Sequence, residues 1–218
     1  MAVELPQIPL AAAGLAWGLV ADRIGARWPA HEDGSIRRVD WRTPVTAAVG
    51  AFAGFELATF RADLPTFAFL GLYSAVLVVL LATDLDQRLL PDVLTLPLIP
   101  YALLGLAIGI DPFVSLDSGL VVALVVAIGL PGGLFVLSIP FGRGAIGMGD
   151  LKLLVSVGLL AGVRAILGLL SGAILAAVVI VALIAARRIT LRSYVPYGPF
   201  LIIGALWAIF GPGLRGVL

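Results

Sequence analysis

The chain has no cysteine and one histidine, His31, in 218 residues. Disulfides, thiolate metal sites, thiol nucleophiles and multi-histidine metal centres are thereby excluded. Charge is scarce too. Charged residues make up 12% of the chain and the formal net charge is +1, against about 25% charged in an ordinary soluble domain. The few basic residues are spread between apolar runs and form no patch, which argues against nucleic acid as a partner. What the chain does have is hydrocarbon: 61% of its residues are hydrophobic and the mean hydropathy is +1.13. Apolar runs of roughly 18 residues or more recur from end to end, each long enough to cross a ~30 Å hydrocarbon core as a helix. The composition therefore describes an all-α polytopic membrane protein. The N-terminus carries Glu4 and no basic segment, so the first run reads as a retained helix and not as a cleaved signal.

Counting apolar runs gives about eight transmembrane helices, near 6–22, 43–60, 64–83, 90–110, 118–139, 150–164, 165–187 and 195–212. The sixth and seventh form one stretch too long for a single crossing at ~1.5 Å per residue. A short turn at Gly162-Val163-Arg164 resolves it. Pro97, Pro100 and Pro131 fall inside spans, where neighbouring helices can take up the freed backbone groups. Gly129-Leu130-Pro131-Gly132-Gly133 reads as a bend or a close packing point. Glu56 within the second span reads as an interhelical hydrogen-bonding group.

Arginine and lysine set the orientation. Arg23, Arg27, Arg37, Arg38, Arg42, Arg88, Arg143, Lys152, Arg187, Arg188 and Arg192 fall on one side, and Arg61, Arg164 and Arg215 on the other. The richer side is cytoplasmic by this rule. The loop at 23–42 is the sizeable polar segment of an N-terminal membrane region, 1–63. We expect it on the inner leaflet, with Trp28 and Trp41 at headgroup depth, its arginines facing anionic lipid and His31 solvated.

Two landmarks carry candidate chemistry. The first is Thr83-Asp84-Leu85-Asp86-Gln87-Arg88-Leu89-Leu90-Pro91-Asp92, a short acidic hinge between two uncharged runs. Carboxylates there are costly unless something uses them. The second runs from Gly142 through Gly147-Met148-Gly149-Asp150 to Lys152, with glycines that allow tight turns and close approach before a helix. The orientation places Asp84 and Asp150 on the same side, two crossings apart. Two neighbouring carboxylates share a proton, so one can draw a proton from water while the other donates to a carbonyl. Against this stands the plain reading of Asp150 as a helix N-cap. Asp92, after Pro91, reads as the cap of the fourth span. Asp86 reads as exposed. Lys152 marks the basic boundary, or biases the proton of a neighbouring aspartate.

Thr83-Asp84, then Pro91-Asp92-Val93-Leu94-Thr95, then Gly147-Met148-Gly149-Asp150 and finally Val195-Pro196-Tyr197-Gly198-Pro199-Phe200 resemble the prepilin peptidases. These are the type IV leader peptidases, membrane aspartic proteases of the GxGD class. The likeness covers about 65–212. It implies a six-helix peptidase core at 64–218, with Asp84 and Asp150 as the catalytic dyad. Gly147, Gly149, Pro91, Asp92 and Lys152 become motif and hinge support. It also implies removal of a short basic leader from prepilin or pseudopilin precursors, at the cytoplasmic face of a bacterial inner membrane. Asp86 then has a competing role as a contact for the leader's basic residues. Many members hold zinc on two cysteine pairs in the first cytoplasmic loop and methylate the new N-terminus with S-adenosylmethionine. This cysteine-free chain lacks that zinc motif, so no metal is expected. S-adenosylmethionine enters only if methyl transfer is retained, which the residues leave open. The alternative function is a small ion- or proton-coupled transporter using Asp84, Glu56 and Asp150. It predicts carboxylates near the midplane and an inverted repeat; the aspartates fall at the boundary, and no repeat is visible.

Overall fold

The computed structural model describes residues 6–31, 34–59, 63–116, 119–141, 146–190 and 196–211. Positions 142–145 of the glycine-rich stretch, together with Glu4, Arg61, Arg192, Val195 and Arg215, lie outside them. Eight α-helices and no strand occur among the described residues: α1 (Gln7–Gly25), α2 (Arg42–Thr59), α3 (Leu64–Gln87), α4 (Asp92–Ala107), α5 (Leu120–Ser138), α6 (Met148–Ala161), α7 (Arg164–Ala185) and α8 (Gly198–Phe210). α1, α3, α5 and α7 are long and apolar enough to cross a membrane, and α4 and α8 are shorter apolar helices. This is a polytopic helical membrane protein, and its helices begin and end within a few residues of the expected spans.

Helix ends follow from local chemistry. Asp63 caps α3 by accepting from the Thr66 N–H at 3.3 Å. At the other end Arg88 turns left-handed, with φ 57°, and donates its N–H to the Asp84 carbonyl at 2.9 Å. The break between α6 and α7 falls where Arg164 required it. Gly162 takes φ 52°, which glycine adopts without strain, and α7 begins at Arg164.

Hydrophobicity does not draw helices together inside lipid, so close backbone contact has to. A Cβ at Gly14 would lie 2.1 Å from the Gly50 carbonyl oxygen, which fixes α1 against α2 backbone to backbone. Gly168 and Gly204 do the same for α7 and α8. The glycines of α5 behave otherwise. Nothing lies within 4 Å of a Cβ added at Gly129, Gly132 or Gly133. The expected packing point is absent because this face of α5, with Val125 and Ile128 exposed, looks outward.

α3 is the axis of the bundle. Tyr73, Leu77, Leu80 and Leu81 are fully covered and share one core with Leu153 and Leu160 of α6 and Ile202, Leu206 and Ile209 of α8. A buried hydrogen bond of 2.9 Å between Tyr73 Oη and Ser156 Oγ ties α3 to α6 midway along. Glu56 is buried on α2, with Thr59 Oγ1 3.5 Å from its Oε2. These contacts bring the end of α3 and the starts of α4, α6 and α8 to one end of the bundle.

Candidate active site

The last turn of α3 presents two carboxylates. Residues two apart on a helix point about 200° from each other, so Asp84 and Asp86 leave α3 in nearly opposite directions. Asp84 is buried and faces the starts of α6 and α8. Its Oδ2 is buried without a hydrogen-bond partner. Gly198, the first residue of α8, is pressed against it: a Cβ there would sit 2.3 Å from Oδ2, 2.7 Å from Cγ and 2.8 Å from Oδ1. No residue but glycine fits between α8 and this carboxylate without moving one of them.

Asp150 is in the first turn of α6, half-buried. It is not the N-cap. Gly147 holds that position, and the Asp150 carboxylate reaches back toward the Gly147 N–H, the acidic half of a capping box. Gly149 lets this turn sit on the hinge, since a Cβ there would meet Leu90 Cβ at 2.7 Å. Gly147 faces Asp150 itself, its Cβ position lying 3.1 Å from Oδ2. The Asp84 and Asp150 carboxyl groups lie within electrostatic reach of one another, and Tyr197, at the N-cap of α8, lies within reach of Asp150. Two carboxylates, one with an unpartnered oxygen, thus converge at the end of an apolar bundle. Two carboxyl groups within electrostatic reach can share a proton.

The supporting residues fall nearby. Pro91 is the N-cap of α4 and Asp92 its first helical residue, so Asp92 does not cap as expected. Its carboxylate instead pairs with Lys152 Nζ at 2.7 Å, joining the starts of α4 and α6. Lys152 is therefore engaged with Asp92 and not free to act on a neighbouring aspartate.

Asp86 corrects the sequence reading most sharply. Its side chain is only 2% exposed and is met by three groups: Arg37 Nε at 2.6 Å, Arg42 Nη1 at 2.9 Å and His31 Nε2 at 2.9 Å. Arg37 also pairs with Asp22 on α1 and, at 2.6 Å, with Asp40. Asp22 is as buried as Asp86 and accepts from Thr43 Oγ1 at 2.7 Å. Gln87 Nε2 donates to the Pro29 carbonyl at 2.6 Å. The basic loop therefore folds back onto the protein. His31 is bonded, not solvated, and Arg37 and Arg42 face carboxylates, not lipid. Trp41 is exposed and stacks on Arg42. Sequence reasoning missed this return because ion pairs across a loop leave no periodic signal. An odd histidine and a dense alternation of acids and arginines were the available hints.

The cysteine pairs that would hold zinc are absent from this loop. There is no thiolate, and among the described residues no group of three histidine, aspartate or glutamate side chains is placed to hold a metal.

A model of the type IV leader peptidase family matches residues 70–186. Among curated proteins, the prepilin leader peptidase/N-methyltransferase of Aeromonas hydrophila is 35% identical over 135 residues, 62% of this chain and 46% of that protein. The protein of the same description from Pseudomonas aeruginosa is 32% identical over 127 residues, 58% of this chain and 43% of its own length. That from Burkholderia pseudomallei is 34% identical over 179 residues, 78% of this chain and 56% of its own length. The chain thus spans about half the length of the curated relatives it matches. No solved structure matches it. The family match runs from within α3 to the end of α7, over more than half the chain, and takes in both converging aspartates, the hinge between α3 and α4 and the glycines before α6; this protein belongs to the type IV leader peptidase family.

Proposed function

We propose that this protein is a membrane aspartic endopeptidase that removes the short basic leader from type IV prepilin-like precursors, with Asp84 and Asp150 as its catalytic pair. The observation that carries the reading is the Asp84 carboxylate pressed against the glycine start of α8, within electrostatic reach of Asp150. The names of the relatives supply the class of substrate. In this reading the pair holds one proton between its two members. The ionised member takes a proton from a bound water as the oxygen attacks the scissile carbonyl carbon. The protonated member donates to the carbonyl oxygen, giving a neutral tetrahedral diol. Return of a proton to the leaving nitrogen breaks the carbon–nitrogen bond and frees leader and mature N-terminus. No cofactor and no metal takes part. The substrate's apolar helix stays in lipid and presents its cleavage point at the bundle end where the aspartates lie. The membrane is a bacterial inner membrane in this reading, and the distribution of arginine and lysine supports that end facing the cytoplasm.

The test is co-expression with a prepilin, following loss of the leader by mass spectrometry. Asp84→Asn and Asp150→Asn are each expected to abolish processing while the chain still accumulates in the membrane. Normal cutting by either variant would remove that aspartate from the pair.

A further inference from the structure

The ion-pair network behind α3 is expensive. Two carboxylates on different helices, each about 1–2% exposed, are bridged by one guanidinium that is itself only 10% exposed. Buried networks of this kind rarely stabilise a fold more than apolar packing of the same volume, and their best attested use is to fix registry. Here the element whose registry is fixed carries Asp84. Beyond Gln87 the chain leaves the helix at the left-handed Arg88, so no further turn secures the end of α3. Its last turn is held from behind by the contacts of Asp86 with the loop and by Gln87 on the Pro29 carbonyl. On the opposite side of that turn Asp84 meets Gly198 with no slack.

We infer that Arg37 is a positioning residue: joining Asp22 of α1 to Asp86 of α3, it sets the lateral place of the last turn of α3 and hence of Asp84. The inference rests on the peptidase reading of Asp84. Arg37 touches neither aspartate of the pair and acts only through Asp86. The guanidinium is needed because it meets three carboxylates through three nitrogens: it hydrogen-bonds Asp22 and Asp40, and its Nε makes a close ion-pair contact with Asp86 outside hydrogen-bond geometry. An ammonium has one nitrogen and cannot span them.

The test uses the full chain in phospholipid vesicles with a purified prepilin, measuring kcat and KM alongside the melting temperature. Arg37→Gln is expected to lower kcat about 100-fold, the effect of displacing a reacting group by ~1 Å, with KM within about threefold of the unmodified chain. Arg37→Lys is expected to regain no more than about a tenth of the lost rate, since it restores a single pairing. A kcat for Arg37→Gln within about threefold of the unmodified chain overturns the inference. So does a loss that vanishes when the assay is run well below the variant's melting point, because that is instability and not misplacement. If Arg37→Gln does not accumulate, Gln87→Ala decides. It removes one neutral hydrogen bond of the same brace and is expected to cost about fivefold in kcat; an unchanged kcat overturns the inference. An unmodified chain that does not cut, or an Asp84→Asn chain that does, defeats the peptidase reading instead, so the two failures are distinguishable.

Discussion

Replacing Gly198 by alanine adds one methyl group where the fold has no room for it. The new Cβ would lie 2.3 Å from Asp84 Oδ2, whereas ordinary contact begins at 3.4 Å. Carboxylate and helix start must therefore part by about 1 Å. The carboxyl cannot swing away cheaply, because the same Cβ would also lie 2.7 Å from its Cγ and 2.8 Å from its Oδ1. If Asp84 changes rotamer, its spacing to Asp150 changes by a comparable amount; if α8 withdraws, Tyr197 at its start moves away from Asp150 by as much. A 1 Å misplacement at a reacting centre is worth about 100-fold in rate, or roughly 2.7 kcal/mol in activation free energy. The assay is cleavage of a prepilin in vesicles, with Gly132→Ala as a matched control. Position 132 has open space around it, and alanine in a helix interior is favoured over glycine by up to about 1 kcal/mol. Gly198→Ala should cut about 100-fold more slowly at unchanged helix content, and Gly132→Ala at the normal rate. Gly198→Ala cutting within a few-fold of the unmodified chain would show that the carboxylate is not confined as described.

Gly149→Ala places a Cβ 2.7 Å from Leu90 Cβ; it should lift the start of α6 off the hinge and slow cleavage at least tenfold, with Leu90→Ala restoring part of the rate. Lys152→Met breaks a partly exposed ion pair with Asp92 and should change stability by less than about 1 kcal/mol, as measured by thermal melting in detergent. Burial pushes the Asp111 carboxyl, in the loop between α4 and α5, up to about 7 against the hydrogen bonds it receives from the Phe113 and Val114 N–H groups. An acid whose folded value is raised stabilises the fold most below its unfolded value and loses that contribution as pH climbs to the folded one. The melting temperature should therefore fall between about pH 4 and pH 7, and Asp111→Asn should flatten that slope. Incubation with a strong chelator should leave leader removal unchanged, and recovery of a lost rate on adding zinc would contradict the reading of the cysteine-free loop.

The helices were legible because lipid-facing chains announce themselves by uninterrupted apolar length, and even the break at Gly162 followed from one arginine in too long a run. That Asp84 and Asp150 share an end of the bundle was legible from counting crossings. The structure adds what counting cannot supply. Asp86, two residues from Asp84, is turned away from it by helical geometry and belongs to another set of contacts. His31 and Arg37 act at long range across a loop whose return depends on several simultaneous charge pairings. The tightness at Gly198 was invisible for a related reason: a glycine shows that a side chain is missing, and only the fold shows which carboxylate fills the space. For Asp92, local preference pointed to a cap, but the helix begins one residue earlier, with Pro91 at the cap, and the carboxylate is left to pair with Lys152.

The two helices that open on the aspartates are short. α6 has 14 residues and α8 has 13, so each reaches about 20 Å at 1.5 Å per residue. A relaxed hydrocarbon slab is ~30 Å thick. Most of both helices is covered by neighbouring helices, so protein and not lipid borders them along their length. On the peptidase reading, two core helices that need not span the slab, because longer neighbours do, allow water to come to the carboxylates from the end of the bundle.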